Sequence, residues 1–137
     1  LFEKELFFEN IDLNTKEEVI EFMGDKLFKR GYIDKEMKSA FLYREKIATT
    51  EIGNMVAIPH GSGGYIYSNK IAVGILKNPI KWEIGDVRLV IMLSIDSDKI
   101  LDYEDLFLNL YKRVDSIAKV ISICENKSFE KFVNMFK

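Results

Sequence analysis

The stretch Arg44-Glu45-Lys46-Ile47-Ala48-Thr49-Thr50-Glu51-Ile52-Gly53-Asn54-Met55-Val56-Ala57-Ile58-Pro59-His60-Gly61 decides how the 137-residue chain is read. It ends in a short apolar run, Met55–Ile58, that is stopped by Pro59 and followed by His60 and the small residues Gly61-Ser62-Gly63-Gly64. A run of that length and composition, bounded by Gly and Pro, predicts a buried strand. His60 then stands where a buried strand ends and a small-residue loop begins. Loops held by a rigid sheet are where functional side chains concentrate.

Working outward, the sequence before this stretch has helical period. With Thr15 as N-cap, Glu18 falls at the third helical position and predicts a capping box. Val19, Ile20, Phe22, Met23, Leu27 and Phe28 follow at helical spacing, and Gly31 stops the helix. A second helix is expected from about Asp34, carrying Met37, Ala40, Phe41 and Leu42 towards Arg44. After His60 the period changes. Ile71–Leu76 and Val87–Ile95 read as buried strands, and Ile80-Lys81-Trp82 as a further short strand after a turn at Asn78-Pro79. Past Asp98 the pattern is helical again. Leu101, Leu106, Phe107, Leu110 and Val114 mark one helix, Ile117 to Ile123 a second, and Ser128 caps a third carrying Phe129, Phe132, Val133 and Phe136. Helices, strands and helices in that order predict an α/β domain, a mixed β-sheet flanked by α-helices on both faces.

The length fits one domain, residues 1–137, and leaves no room for two. The opening at Leu1 suggests a domain of a longer protein. The formal net charge of −2, with basic and acidic residues interspersed, predicts no direct nucleic-acid contact. The longest apolar runs, such as Leu89–Leu93, fall far short of the roughly 20 residues a membrane span needs, so no membrane insertion is expected. One cysteine, Cys124, sits in an apolar helical stretch and is expected to be buried. A reducing, cytoplasmic setting is the simplest compartment.

His60 is the only histidine. A metal site needs three or four ligands, which this chain would have to assemble from one histidine and scattered carboxylates. No Gly-x-Ser-x-Gly elbow or P-loop is present. The glycines after His60 leave room for another molecule, and their N–H groups offer an anion site. Local context alone leaves a functional histidine and a plain surface-loop histidine both open.

The stretch Arg44–Gly61 resembles the signature of type-2 EIIA domains of the bacterial sugar phosphotransferase system, the fructose–mannitol family. In that family an Arg-Glu pair leads, through a Thr and a Gly, into an apolar-Ala-apolar-Pro-His segment. Thr15–Gly31, Ile71–Trp82 and Val87–Ile95 resemble the family's first helix, next strand and central strand. The resemblance implies the fructose/mannitol-type EIIA fold and a phosphotransferase role, with His60 accepting a phosphoryl group from the carrier HPr. It implies Arg44 as the cation that steadies this group, with Gly61, Ser62, Thr50 and Tyr103 as further binding residues. No cofactor is implied. Many members carry a second histidine near the start of the helix after the central strand. Here the matching region is Ser97-Asp98-Lys99-Ile100-Leu101-Asp102-Tyr103, where Tyr103 or Lys99 is the candidate substitute.

Three functions remain open on these grounds. One is a transporter EIIA passing phosphate to an EIIB cysteine. Another is the EIIA-like domain of a sugar-operon regulator or antiterminator, acting on regulator modules. The third is a binding module that is never phosphorylated. Ile66 and Tyr67 are candidate exposed residues of a protein-docking surface beside His60, and the phenylalanines are expected in the core.

Overall fold

The computed structural model describes residues 1–99 and 102–137. In chain order the elements are β1 (Phe2–Ile11), α1 (Lys16–Lys29), α2 (Lys35–Ile47), β2 (Glu51–Gly53), β3 (Val56–Ala57), β4 (Lys70–Lys81), β5 (Asp86–Ser94), a 3₁₀ turn at Ser97–Lys99, α3 (Tyr103–Arg113), α4 (Ile117–Asn126) and α5 (Phe129–Asn134). The strands form one five-stranded sheet in the order β1-β4-β5-β3-β2. β4 and β5 are antiparallel, β1 runs parallel to β4, β3 runs parallel to β5, and β2 is antiparallel to β3. Leu101, expected in the helix after β5, lies outside the described residues.

The unbroken apolar runs of the middle strands follow from burial on both faces. Alternate residues serve opposite layers. Ala72 and Leu76 of β4 and Val90 and Met92 of β5 face α1 and α2, among Val19, Met23, Leu27 and Phe41. Ile71, Val73 and Ile75 of β4 and Leu89, Ile91 and Leu93 of β5 face the other side, among Leu110, Val120, Ile123 and Phe132. Cys124 is fully buried in that second layer, where burial pushes its thiol pKa up. Phe7 and Phe132 are core residues, and Phe8, Phe107, Phe129 and Phe136 pack partly buried against the two layers.

The helix boundaries follow the expected caps. Thr15 Oγ1 accepts from the Glu18 N–H at 3.2 Å. The reciprocal half of the capping box differs, because the Glu18 carboxylate accepts from the Thr15 hydroxyl and not from its backbone. At the far end Tyr32 N–H donates to Leu27 O and Gly31 N–H to Phe28 O, the paired closure that a positive-φ glycine permits. α2 continues past Arg44 to Ile47.

Two strands and one turn depart from expectation. β1 carries Glu3, Lys4, Glu5 and Glu9 among its apolar residues, and its pairing with β4 slips twice, so its sequence shows no clean period of two. Ile80 and Lys81 are not a separate strand. They finish β4, which runs through Asn78-Pro79 as an irregularity between Ile75 and Ile80, and Trp82 lies just beyond it. β2 is only three residues, joined to β3 through Asn54 and Met55, both at positive φ as a tight two-residue hairpin loop requires.

The turn between β4 and β5 is latched from β2. The Glu51 carboxylate accepts from the N–H groups of Glu83 (3.1 Å), Ile84 (2.9 Å) and Gly85 (2.8 Å). Replacing Glu51 with Ala leaves three turn donors to water, and should lower unfolding free energy by about 1–3 kcal/mol in urea titrations. Glu51→Gln, which keeps one acceptor, should lose less.

Candidate functional site

His60 is placed by the carboxyl ends of two parallel strands, the position at which open α/β sheets hold their ligands. β3 delivers Ile58 and Pro59, and Leu93 N–H of β5 donates to Pro59 O at 2.8 Å, so the backbone entering His60 is tied to the sheet. The imidazole Nδ1 lies 2.8 Å from the Ile58 carbonyl oxygen. A carbonyl only accepts, so Nδ1 carries the proton and donates, and in the neutral ring Nε2 keeps an unshared pair. The ring is half-buried and lines a cavity of about 390 Å³ together with Gly61, Ser62, Tyr65, Leu93 and Tyr103.

The loop after His60 is strapped to the connection between α1 and α2. Asp34 Oδ1, which caps α2 through the Met37 N–H at 2.8 Å, also accepts from the Tyr65 N–H at 2.9 Å. Asp34 N–H returns a bond to Tyr65 O, and Tyr67 N–H donates to Tyr32 O. These backbone donors hold the Asp34 carboxyl below its usual pKa. Asp34 was legible only as a helix start. Its second role depends on residues 31 positions away, for which the local sequence carries no signal.

The glycines make room for the protein's own helix and not for a visitor. A Cβ on Gly61 would sit 3.0 Å from Ala40 O of α2, and one on Gly64 would run into the Met37 backbone N and lie 2.6 Å from Asp34 Oδ1. Their amides stay available. Among the described residues, none accepts a hydrogen bond from the N–H of Gly61, Ser62 or Gly63. Ser62 is exposed.

The structure gathers His60, Gly61, Ser62 and Tyr103 on the cavity, whereas Arg44 and Thr50 do not line it. Arg44 lies in the last turn of α2, where its guanidinium donates to the Ala48 carbonyl at 2.5 Å. It follows Ala40, the residue packed against Gly61, by one helical turn on the same side of α2. Thr50 is buried. Its N–H donates to Glu45 Oε2 at 2.9 Å, its hydroxyl donates to Glu45 Oε1, and its carbonyl accepts from the Ile58 N–H at 3.0 Å. Tyr103 opens α3 and stands half-buried in the cavity wall, with burial pushing its phenol pKa up, so it remains protonated at neutral pH. Lys99 lies 5.0 Å over the Tyr65 ring and 3.9 Å from Asp96 Oδ2, so its charge is partly offset at the rim. Asp96 and Asp98 line the same wall. Of the two expected docking residues Tyr67 is exposed, but Ile66 is buried, paired across a bridge with Ile33. It belongs to the core because the strap pulls it under the loop.

The fold matches that of mannitol IIA from Escherichia coli with a TM-score of 0.81 over 98% of both chains, at 23% identity. It also matches the complex of enzyme IIA-mannitol with phosphorylated enzyme IIB-mannitol from the same organism, TM-score 0.77 at 24% identity, covering 98% of this chain and 97% of that one. These likenesses are of fold alone. In sequence, the probable licABCH operon regulator of Bacillus subtilis is 33% identical over 133 residues, 97% of this chain but only 21% of that protein's length. Residues 1–137 match the model of the phosphoenolpyruvate-dependent sugar phosphotransferase system EIIA 2 family, and the chain belongs to that family. Among the described residues, no helix is long and apolar enough to cross a membrane.

The contact of Gly64 with α2 gives a direct test of the loop's attachment. Gly64→Ala cannot be absorbed by a flexible side chain, because its Cβ meets Met37 backbone. The variant should lose about 1–3 kcal/mol of stability in urea unfolding, the usual cost of overpacking.

Proposed function

We propose that this chain is a phosphoryl carrier, with His60 as the residue that takes up the phosphoryl group. The observation that carries this reading is the Nδ1–H bond to Ile58 O, which leaves Nε2 as the nucleophile on a ring lining the cavity. The donor is phospho-HPr. The Nε2 pair attacks phosphorus as the donor's P–N bond breaks, and the departing imidazole keeps that bond's electrons. The His60 ring then gains positive charge, which the Ile58 carbonyl stabilises through the bond it already makes. Charge on the transferring oxygens falls within reach of the amides of Gly61 and Ser62, the Ser62 hydroxyl and the Tyr103 phenol. The cation is Arg44, one helical turn beyond Ala40 on α2, which leaves the Ala48 carbonyl to grip two phosphoryl oxygens. The next acceptor is the cysteine of an EIIB domain, and the setting is cytoplasmic. The identity to an operon regulator favours a second reading, in which the phosphorylated domain acts on neighbouring regulator modules.

Incubation with phosphoenolpyruvate, enzyme I and HPr, followed by intact-mass measurement, tests the first step. The chain should gain one acid-labile phosphoryl group and His60→Ala none; equal labelling of both would overturn the assignment. Addition of an EIIB domain should then discharge the phosphorylated chain if it serves a transporter.

Arg44→Ala should fold normally yet accept phosphate about 30- to 1,000-fold more slowly, the range for losing roughly 2–4 kcal/mol of transition-state stabilisation. Arg44→Lys should fall between, since an ammonium cannot reproduce the two-pronged grip. A rate for Arg44→Ala within about twofold of wild type would leave Arg44 as a helix-capping residue only.

A further inference from the structure

The buried carboxylate of Glu45 has no part in the transfer described above, although it is only 3% exposed and surrounded by donors. It accepts from Thr50 N–H and from the Thr50 hydroxyl, and from Trp82 Nε1–H at 3.3 Å. Its position explains an irregularity in the sheet. β2 and β3 pair Glu51 with Ala57, so the next antiparallel pair outward is Thr50 with Ile58. Residues of a hydrogen-bonded antiparallel pair exchange two bonds, each N–H donating to the other's carbonyl. Here only one is made, from Ile58 N–H to Thr50 O. The Thr50 N–H turns to Glu45 instead, and the Ile58 carbonyl, which would otherwise be shared with it, accepts from His60 Nδ1.

We infer that Glu45 is a positioning residue for His60: by drawing off the Thr50 N–H it leaves the Ile58 carbonyl unshared with the strand partner and turned to hold the imidazole as the Nδ1–H tautomer, with Nε2 unprotonated. This rests on the reading of His60 as the phosphoryl acceptor. What Glu45 supplies is acceptor oxygens at a fixed reach, and its charge is secondary. Two substitutions separate these. In Glu45→Gln the amide oxygen can take both N–H groups while the amide nitrogen donates to Thr50 Oγ1, which a hydroxyl permits. Glu45→Asp keeps the charge but draws the oxygens back by one methylene, out of reach of the Thr50 amide.

The tautomer is read by ¹⁵N NMR of the His60 ring at a pH where it is neutral, and uptake by initial rates with phospho-HPr. Wild type should show Nδ1 protonated; a dominant Nε2–H form in wild type would overturn the proposal without any variant. Glu45→Gln should keep the wild-type ring pattern. Glu45→Asp should shift the ring towards Nε2–H and slow kcat by about tenfold, with KM for phospho-HPr within about twofold, because the surface is untouched. A wild-type ring pattern in Glu45→Asp, or loss of that pattern in Glu45→Gln, would overturn it. If wild type takes up no phosphoryl group at all, the carrier reading fails while the ring spectra still judge Glu45.

Discussion

β5 is buried on both faces from Leu89 to Ser94, and this sandwiching governs the placement of everything else. A strand with no solvent side must have apolar layers above and below it, which α1 and α2 provide on one face and α3, α4 and α5 on the other. Once both faces are closed, chemistry is left only the strand ends. β3 runs parallel to β5 and beside it, so the chain leaving β3 emerges at the same end as Ile95 and Asp96, and His60 sits there. The cavity is thus a product of topology, and its walls come from segments far apart in sequence.

Rigidity at that end comes from hydrogen bonds more than from packing. The Asp34 strap fixes the loop after His60, the Leu93 N–H fixes the backbone before it, and Ile58 fixes the ring itself. A side chain held in one orientation beforehand loses little freedom when another molecule meets it. The glycines serve the same end by letting the loop lie against α2, while among the described residues none accepts from the N–H of Gly61 or Gly63.

Much of this was readable from the residues. The Thr15 and Ser128 caps and the helix start near Asp34 are local signals, whereas Ser116, which caps α4 through the Lys119 N–H, did not stand out from the sequence. The apolar runs of β3, β4 and β5 announced burial, and the Arg44–Gly61 stretch pointed to His60, which lines the cavity, and to Arg44 and Thr50, which do not. β1 escaped notice because an edge strand with charged residues and slipped pairing has no clean alternation. Pro79 suggested a break that β4 absorbs as an irregularity. Glu45 and Thr50 stood in the signature without any sign that one is buried against the other, and the burial of Ile66 depends on the strap to Asp34. The burial of Ile66 is decided by a long-range contact, and that of Thr50 by a bend that brings it back onto Glu45 five residues earlier, and hydrophobic period shows neither.

The two borders of the sheet differ from its centre in a way that bears on how such a domain lives beside others. β2 is three residues long, too short to template a new strand, and β1 carries Glu3, Glu5 and Glu9 along its length, with Glu3 engaged by Lys70 and Arg30. Charges on a border strand and a stunted opposite border both discourage ribbon-like stacking of sheets. The relative with 33% identity carries its matching segment within a much longer chain, and segments joined in one chain meet at high local concentration. Borders that refuse to zip onto other sheets keep this sheet at five strands even with other sheets close by.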